Sequence, residues 1–342
     1  MSPTGQPDPR LGWSAPLEAA WHAIGTPGRP GRVARIDRGW STVWRAATDA
    51  APDAVPLRVR NIAADVAIGD WVVPSDDDET VEHVLARQSA FVRRASFEGD
   101  RFEADTLAAN IDVVFLVHAF GLPPNQRRLE RELVLAFDSG AAPVVVLTKS
   151  DAVDDPEPLR AELAAVALGV PVLVVSGRTG YGLESIRSYA EGNRTLAFLG
   201  ASGVGKSTLV NALLDSAVMD TGEVRAADQR GRHTTVAAQL LVLPGTGLLI
   251  DTPGVRAVSL WLSGQGIERA FADVFELSEQ CRFRDCKHDR EPGCAVQQAI
   301  ADGELDSARW ASLERLVAEE AALEAEQGRF EKRGDKRRRG RE

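Results

Sequence analysis

Gly200, Gly205, Lys206 and Ser207 stand in the pattern G-x-x-x-x-G-K-S. Glycines let backbone N–H groups close around phosphate oxygens, and a helix N-terminus behind them adds favourable charge. A lysine here reaches the β- and γ-phosphates of a nucleotide, and the hydroxyl after it holds Mg²⁺. Gly200, Ala201, Ser202, Gly203, Val204, Gly205, Lys206, Ser207 and Thr208 therefore form a candidate phosphate cradle. Residues 196–199 before it are an apolar run suited to a buried strand. Leu209, Val210, Leu213 and Leu214 behind it have helical spacing. Strand, glycine loop and helix are the setting this motif requires.

Two further motifs complete a nucleotide constellation. Asp251 and Gly254 form D-x-x-G after a second buried run, about 45 residues downstream. An aspartate there faces the Mg²⁺ site, and the glycine N–H can bond the γ-phosphate. Thr148, Lys149, Ser150 and Asp151 fit [N/T]-K-x-D at the end of another apolar run. A carboxylate can accept from the N1–H and 2-amino groups of guanine, which adenine lacks. Asp151 would read the base, with the Lys149 stem along it. Ser176 and Gly177, after the next strand, offer a backbone contact to guanine O6. Thr148 stands where asparagine is more usual, which removes an amide and leaves base selectivity open. The order is inverted: the base-reading loop precedes the phosphate loop, and nothing after Gly254 resembles it. The same sheet can be cut and rejoined, because domain termini are often close. A circularly permuted P-loop GTPase is expected.

Val255 follows the D-x-x-G glycine, where many GTPases carry a glutamine that orients the attacking water. Valine cannot do this, so intrinsic turnover should be slow. His233, in the preceding loop, is the local candidate for orienting water, because a neutral imidazole can accept a hydrogen bond at pH 7. Thr234 or Thr235 would complete Mg²⁺ coordination with Ser207 and Asp251. All three cysteines of the sequence lie in Cys281-x4-Cys286-x-His288-x5-Cys294. Three thiolates and one imidazole suit tetrahedral Zn²⁺, and four protein ligands leave no open position, so a structural ion is expected.

The 342-residue chain can hold two or three domains. Its formal net charge of −10 argues against general polyanion binding. The charge is uneven, however. Residues 29–60 contain seven arginines, and residues 329–342 contain eight basic and three acidic side chains. Basic ends on an acidic protein suggest local contact with nucleic acid. There is no apolar run of 18 residues and no basic-then-apolar leader, so a cytoplasmic protein without membrane contact is expected.

Residues 1–28, rich in Pro and Gly, are expected to be disordered, although Trp13, Leu17 and Trp21 could dock part of the segment on a neighbour. Residues 29–95 show five short alternating segments separated by turns, as in an OB-type β-barrel. Trp40 and Trp44 could stack on bases, and Trp71 suits a core. Residues 96–262 alternate strands with helices at 125–138, 159–168 and 183–189, which predicts a mostly parallel sheet covered on both faces. Their last two strands are expected at 235–243 and 247–250. Residues 263–327 read as an α-helical zinc-binding domain, with helices at 267–277 and 306–327. Residues 328–342 read as a basic tail.

The permuted order, the run from Gly231 through His233 to Thr235, the run from Asp251 to Arg256, and the Cys/His cluster resemble the ribosome small-subunit-dependent GTPase A family. The resemblance covers about residues 30–300. It implies an N-terminal OB domain, a central permuted GTPase domain and a C-terminal zinc domain. It also implies binding near the decoding region of the small ribosomal subunit during late maturation, hydrolysis stimulated by that subunit, and a catalytic role for His233. Expected partners are the small subunit with its rRNA, and GTP or GDP, for a monomer. An RNA-binding module with a passive nucleotide switch, or a GTPase serving a protein partner, would carry much of the same sequence.

Overall fold

The structure is a computed structural model that describes residues 7–26, 28–45, 56–62, 64–94, 104–123, 125–215, 238–251 and 265–339. A 3-10 turn at Pro9–Leu11 leads into α1 (Ala15–Ile24). β1 (Gly31–Asp37), β2 (Trp40–Trp44), β3 (Leu57–Arg60), β4 (Trp71–Pro74) and β5 (Val81–Val84) follow, close to the five segments read from alternation. β1 pairs antiparallel with β2 and β4, β2 with β3, and β4 with β5. A bridge from Arg60 to Thr80 carries β3 to the start of β5, so the pairings return to β1. Trp71 is fully buried, as a core residue should be. Trp40 and Trp44 are half-buried, and the guanidinium carbons of Arg58 and Arg60 lie 5.2 and 5.1 Å from the Trp40 ring centre.

The expected disorder of residues 1–28 is corrected for residues 7–26. Leu11 and Leu17 are buried, and Trp13 meets Trp71 edge-on with ring centres 4.7 Å apart. Four large apolar side chains at turn and helix spacing outweigh the Pro and Gly content. Those residues instead punctuate: Pro16 sits in the first turn of α1, and Gly25 ends it at φ 71°.

β6 (Ala90–Arg94) and β7 (Ala104–Ala109) pair as a hairpin that crosses the boundary expected at 95–96 and was not visible in the sequence pattern. The alternating region then runs β8 (Val113–Ala119), α2 (Gln126–Ser139), β9 (Ala142–Thr148), α3 (Glu157–Ala167), β10 (Val172–Val174), α4 (Leu183–Ser188), β11 (Thr195–Gly200), α5 (Lys206–Leu213), β12 (Gln239–Val242) and β13 (Leu248–Asp251). The strand order β10-β9-β8-β11-β13 is parallel throughout. β12 joins β13 antiparallel, and β1 meets β12 at Arg35 and Gln239, so one 11-stranded sheet runs through both expected domains. β8 shows why its sequence lacks alternation: Val113, Phe115 and Val117 enter one core with α4 and α5, while Val114 and Leu116 enter the other with α2 and α3.

The C-terminal region is helical: α6 (Gln265–Ala270), α7 (Ala272–Ser278), α8 (Ala295–Ala301) and α9 (Ser307–Arg339). The single helix expected at 267–277 is two, broken at Phe271, whose backbone leaves helical geometry (φ −120°, ψ 32°) while its ring is fully buried. α9 continues past the expected end at 327 into the basic segment, whose Lys and Arg are good helix formers. α2 is the seat of this region. Asp138 accepts from the Gly266 N–H at 2.7 Å, Arg131 forms a bidentate pair with Glu319, and buried Arg309 reaches Asp273, Glu130 and the Ala270 carbonyl. No helix among the described residues is long and apolar enough to cross a membrane.

Arg32 performs a similar task at the other end. It is buried, and its guanidinium donates to the carbonyls of Leu11, Gly69 and Asn110. Burial pushes its pKa down to about 10, opposed by Asp112 and Asp70, so it stays charged at neutral pH. Arg32→Ala would leave the Leu11 and Asn110 carbonyls without a donor in the interior, while the Gly69 carbonyl keeps the Asn110 side-chain amide, at a cost of about 3 kcal/mol. The urea midpoint followed by tryptophan fluorescence should fall accordingly, because Trp13 and Trp71 flank this contact.

Candidate functional site

Parallel strands release their chains along one edge, and in open α/β sheets ligands bind outside that carboxyl edge. Here the edge gathers Ser176 and Gly177 after β10, Thr148 to Asp151 at the end of β9, His118 at the end of β8, the glycine loop after β11 and Asp251 at the end of β13. Site residues separated by up to about a hundred positions in the chain are thereby brought to neighbouring strand ends. His233, Thr234, Thr235 and Gly254 lie outside the described residues.

The glycine loop needs its glycines. Gly200 has φ 155°, and a Cβ on it would stand 2.5 Å from the Val117 carbonyl oxygen, so only glycine lets β11 approach β8 there. Gly203 and Gly205 have φ 78° and 99°. Ala201 and Ser202 lead into this turn, and Val204 is buried beneath it. α5 begins at Lys206, three residues before its apolar spacing starts at Leu209, with Ser207 and Thr208 in its first turn. Their N–H groups are among those a helix leaves without internal acceptors. Lys206 Nζ donates to the carbonyls of Gly200 at 2.7 Å and Ala201 at 2.5 Å. The ammonium is thus held across the mouth of the loop, where phosphate oxygens are stronger acceptors than carbonyls.

At the base-reading loop, Lys149 takes the left-handed conformation (φ 62°), and Ser150–Ala152 form a 3-10 turn. Asp151 Oδ1 accepts from Ser176 Oγ at 2.6 Å, and an Arg178 nitrogen lies 3.7 Å from Oδ2. The Ser176 hydroxyl holds the Asp151 carboxyl below its ordinary range against the opposing effect of burial, with a lesser contribution from the Arg178 charge. Ser176 is wholly buried: its hydroxyl is occupied with Asp151, its N–H donates to the Tyr181 carbonyl at 2.9 Å, and its carbonyl accepts from the Gly180 N–H at 3.0 Å. Gly177 packs against the first turn of α5, with a built Cβ 3.2 Å from the Leu209 nitrogen. Thr148, whose effect on base selectivity the sequence left open, lies inside the protein. It is 2% exposed, and its hydroxyl bonds the carbonyls of Val204 and His118.

One feature had no signal in the sequence beyond a histidine ending an apolar run. His118 Nε2 lies 3.0 Å from Glu132, which also accepts from Arg128 at 2.8 Å. His118 and Arg128 border a cleft of about 170 Å³ between β8, α2, α3 and the glycine loop, with Ala201 and Val204 on its wall.

The Cys/His cluster assembles at the C-terminal helices. Cys281 Sγ and Cys294 Sγ are 4.0 Å apart, each lies 3.5 Å from His288 Nδ1, and with Cys286 all four donor atoms fall within 4.8 Å. Zn–S bonds of about 2.3 Å in a tetrahedron put sulfurs about 3.8 Å apart, so the set fits that ion. Around it, the N–H groups of Ala295 and Gln297 approach Cys281 and Cys294 sulfurs at 3.3 and 3.4 Å, and Trp310 meets His288 edge-on.

Residues 84–261 match the family model described as RsgA GTPase. A Streptomyces coelicolor protein named small ribosomal subunit biogenesis GTPase RsgA is 44% identical over 91% of this chain and 86% of its own length. A Methanosarcina acetivorans protein of the same name is 37% identical over 92% and 86%. Among solved structures, YjeQ from Thermotoga maritima superposes with a TM-score of 0.60 at 26% identity, covering 85% of this chain and 98% of that one. YloQ, a circularly permuted GTPase, gives 0.59 at 23% identity over 86% and 95% and supports the fold alone.

The Asp151 geometry sets a pH dependence. As the acceptor for guanine that the motif suggests, Asp151 would have to be ionised, so affinity would be present above its pKa and lost as pH falls through it. Ser176→Ala removes the main cause of the lowered pKa. The acid loss of GDP affinity should therefore begin at a higher pH in Ser176→Ala than in the wild type, measured by fluorescence titration with a labelled GDP.

Proposed function

The chain belongs to the RsgA GTPase family, and we propose that it hydrolyses GTP on the small ribosomal subunit and assists the late maturation of that particle. The observation that carries this is the meeting of glycine loop, base-reading loop and Asp251 on one sheet edge in permuted order. The naming of relatives as small ribosomal subunit biogenesis GTPases supports the choice of partner.

In the proposed reaction, the N–H groups of Gly200 to Thr208 receive the phosphates, and Lys206 exchanges its two loop carbonyls for β- and γ-phosphate oxygens. Asp151 takes the N1–H and 2-amino groups of guanine, with Lys149 alongside and the backbone of Ser150, Ser176 and Gly177 near the base. Ser207, Asp251 and either Thr234 or Thr235 would hold Mg²⁺, which supplies charge neutralisation at the phosphates. The Gly254 N–H would sense the γ-phosphate. His233 would orient the attacking water, since Val255 offers no polar group; the subunit would bring His233 into position, which accounts for stimulation by that partner. GTP would favour the bound arrangement, and hydrolysis would favour release.

The N-terminal strands suit an OB-type barrel, because the pairings β1-β2-β3, the Arg60 to Thr80 bridge and β5-β4-β1 follow the connectivity of that fold. The half-buried Trp40 with Arg58 and Arg60 suits stacking on rRNA bases. The Cys281, Cys286, His288 and Cys294 set suits a structural Zn²⁺. The basic end of α9 would add phosphate contacts. We propose three regions for these roles, with the β6–β7 hairpin kept whole in the central one and α9 whole in the C-terminal one, acting as a cytoplasmic monomer.

Phosphate release from GTP and ATP should be measured with and without purified small subunits, with large subunits as control. Strong stimulation by small subunits, confined to GTP, is expected, and equal slow rates throughout would overturn the proposal. His233→Ala should lower stimulated turnover about 100-fold, the scale of a lost proton-handling group, while labelled-GDP affinity stays unchanged. For the metal, colorimetric assay should find one zinc per chain, and Cys294→Ser should lower both zinc content and the thermal midpoint.

A further inference from the structure

Thr148 occupies the first position of the base-reading loop, yet its hydroxyl is turned away from where a base would lie. The residue ends β9 and is 2% exposed. Its hydroxyl carries one hydrogen and stands between two acceptors, the Val204 carbonyl, which is very close, and the His118 carbonyl at 3.1 Å. The glycine loop covers it from above: a Cβ placed on Gly205 would sit 3.4 Å from Thr148 Oγ1. Below, the end of β8 is held by the His118 ring against Glu132, which is in turn held by Arg128. The hydroxyl thus has neither a spare proton nor an open face for a ligand.

We infer that Thr148 is a positioning residue for the phosphates and takes no part in reading the base, so that among side chains guanine is selected by Asp151 alone. The inference rests on the GTPase function proposed above. The bond to Val204 ties the end of β9 to the residue before Gly205, immediately ahead of Lys206 and Ser207. It therefore sets the separation between the base-reading loop and the phosphate loop. An asparagine has two N–H donors and a carbonyl and could brace the loop while reaching a base; threonine has one donor, already used. Replacing Asn by Thr here does not loosen base selection. It separates two tasks, leaving the brace on Thr148 and the choice of base on Asp151, whose carboxylate is oriented independently by Ser176.

Calorimetric titration of the full chain with GDP, IDP and XDP tests this, using wild type, Thr148→Val, Thr148→Ser and Asp151→Asn. IDP lacks the 2-amino group and XDP replaces it with oxygen, so their ratios to GDP report base reading separately from phosphate binding. Thr148→Val should weaken GDP and IDP by a common factor of about 10, equivalent to about 1.4 kcal/mol, with the GDP-to-IDP preference unchanged within about twofold. Thr148→Ser should restore wild-type affinity. A change of more than about fivefold in that preference in Thr148→Val would overturn the inference by showing base contact. Unaltered GDP affinity in Thr148→Val would also overturn it, as would failure of Thr148→Ser to restore binding, which would assign the effect to methyl packing. If Thr148→Val does not fold by circular dichroism, Thr148→Cys, with its weak donor, takes its place: a shared intermediate loss supports the brace, and a wild-type response overturns it. Asp151→Asn should shift preference from GDP to XDP. Wild type that ignores GDP, or Asp151→Asn that keeps its GDP preference, would refute the guanine site itself, whatever the Thr148 variants do.

Discussion

The parallel ladder through β8, β11 and β13 is the constraint on which the site depends. Ala197 pairs with Val114 on one side and Ile250 on the other, so three chains leave the sheet at one level. The approach is closest at Gly200, where the Val117 carbonyl leaves no room for a side chain. Any residue with a Cβ there would push β11 from β8 and displace the loop that follows. Because the ladder is a relation in space, it holds in whatever order the chain visits the strands. That is why the loop from Thr148 to Asp151 can precede the glycine loop without loss of geometry.

Around this ladder, buried charge joins parts that apolar packing alone would join less specifically. Arg309 is nearly buried and meets Asp273 at two points, fully buried Glu130 and a backbone carbonyl. A charge withdrawn from water is costly unless every partner is in place, so such a contact tolerates few alternative arrangements of α2, α6, α7 and α9. Arg32 acts likewise on the N-terminal segment, though with three carbonyls as acceptors. Both arginines sit where segments distant in sequence converge. α2 thereby links two features: its first turns border the cleft beside the glycine loop, and its middle and end carry the C-terminal helices.

Local chemistry made much of this architecture legible. Unbroken apolar runs marked β8, β9, β11 and β13, since strands buried on both faces need no polar alternation. Glycine spacing marked the phosphate loop, because positive φ and close backbone approach are properties of a residue type. The Cys/His cluster was equally plain, its four donors lying within 14 residues of chain. Composition misled where a few side chains decide the outcome: Leu11, Trp13, Leu17 and Trp21 order a segment whose Pro and Gly suggested disorder. The β6–β7 hairpin was missed because its residues alternate weakly and its two strands flank the boundary where the pattern changes.

The amino-acid sequence by itself therefore determined the chemistry on offer: a phosphate loop, a carboxylate that suits guanine, a tetrahedral ligand set and their permuted order. It did so because each depends on residue types at short spacing. Only the tertiary structure decided how those groups are held. That Ser176 orients Asp151, that Arg309 locks the C-terminal helices onto α2, and that Thr148 faces the glycine loop all depend on contacts between residues 25 to 179 positions apart. Such contacts leave no periodicity in the chain. They exist only once the strand ends have been brought to a common edge.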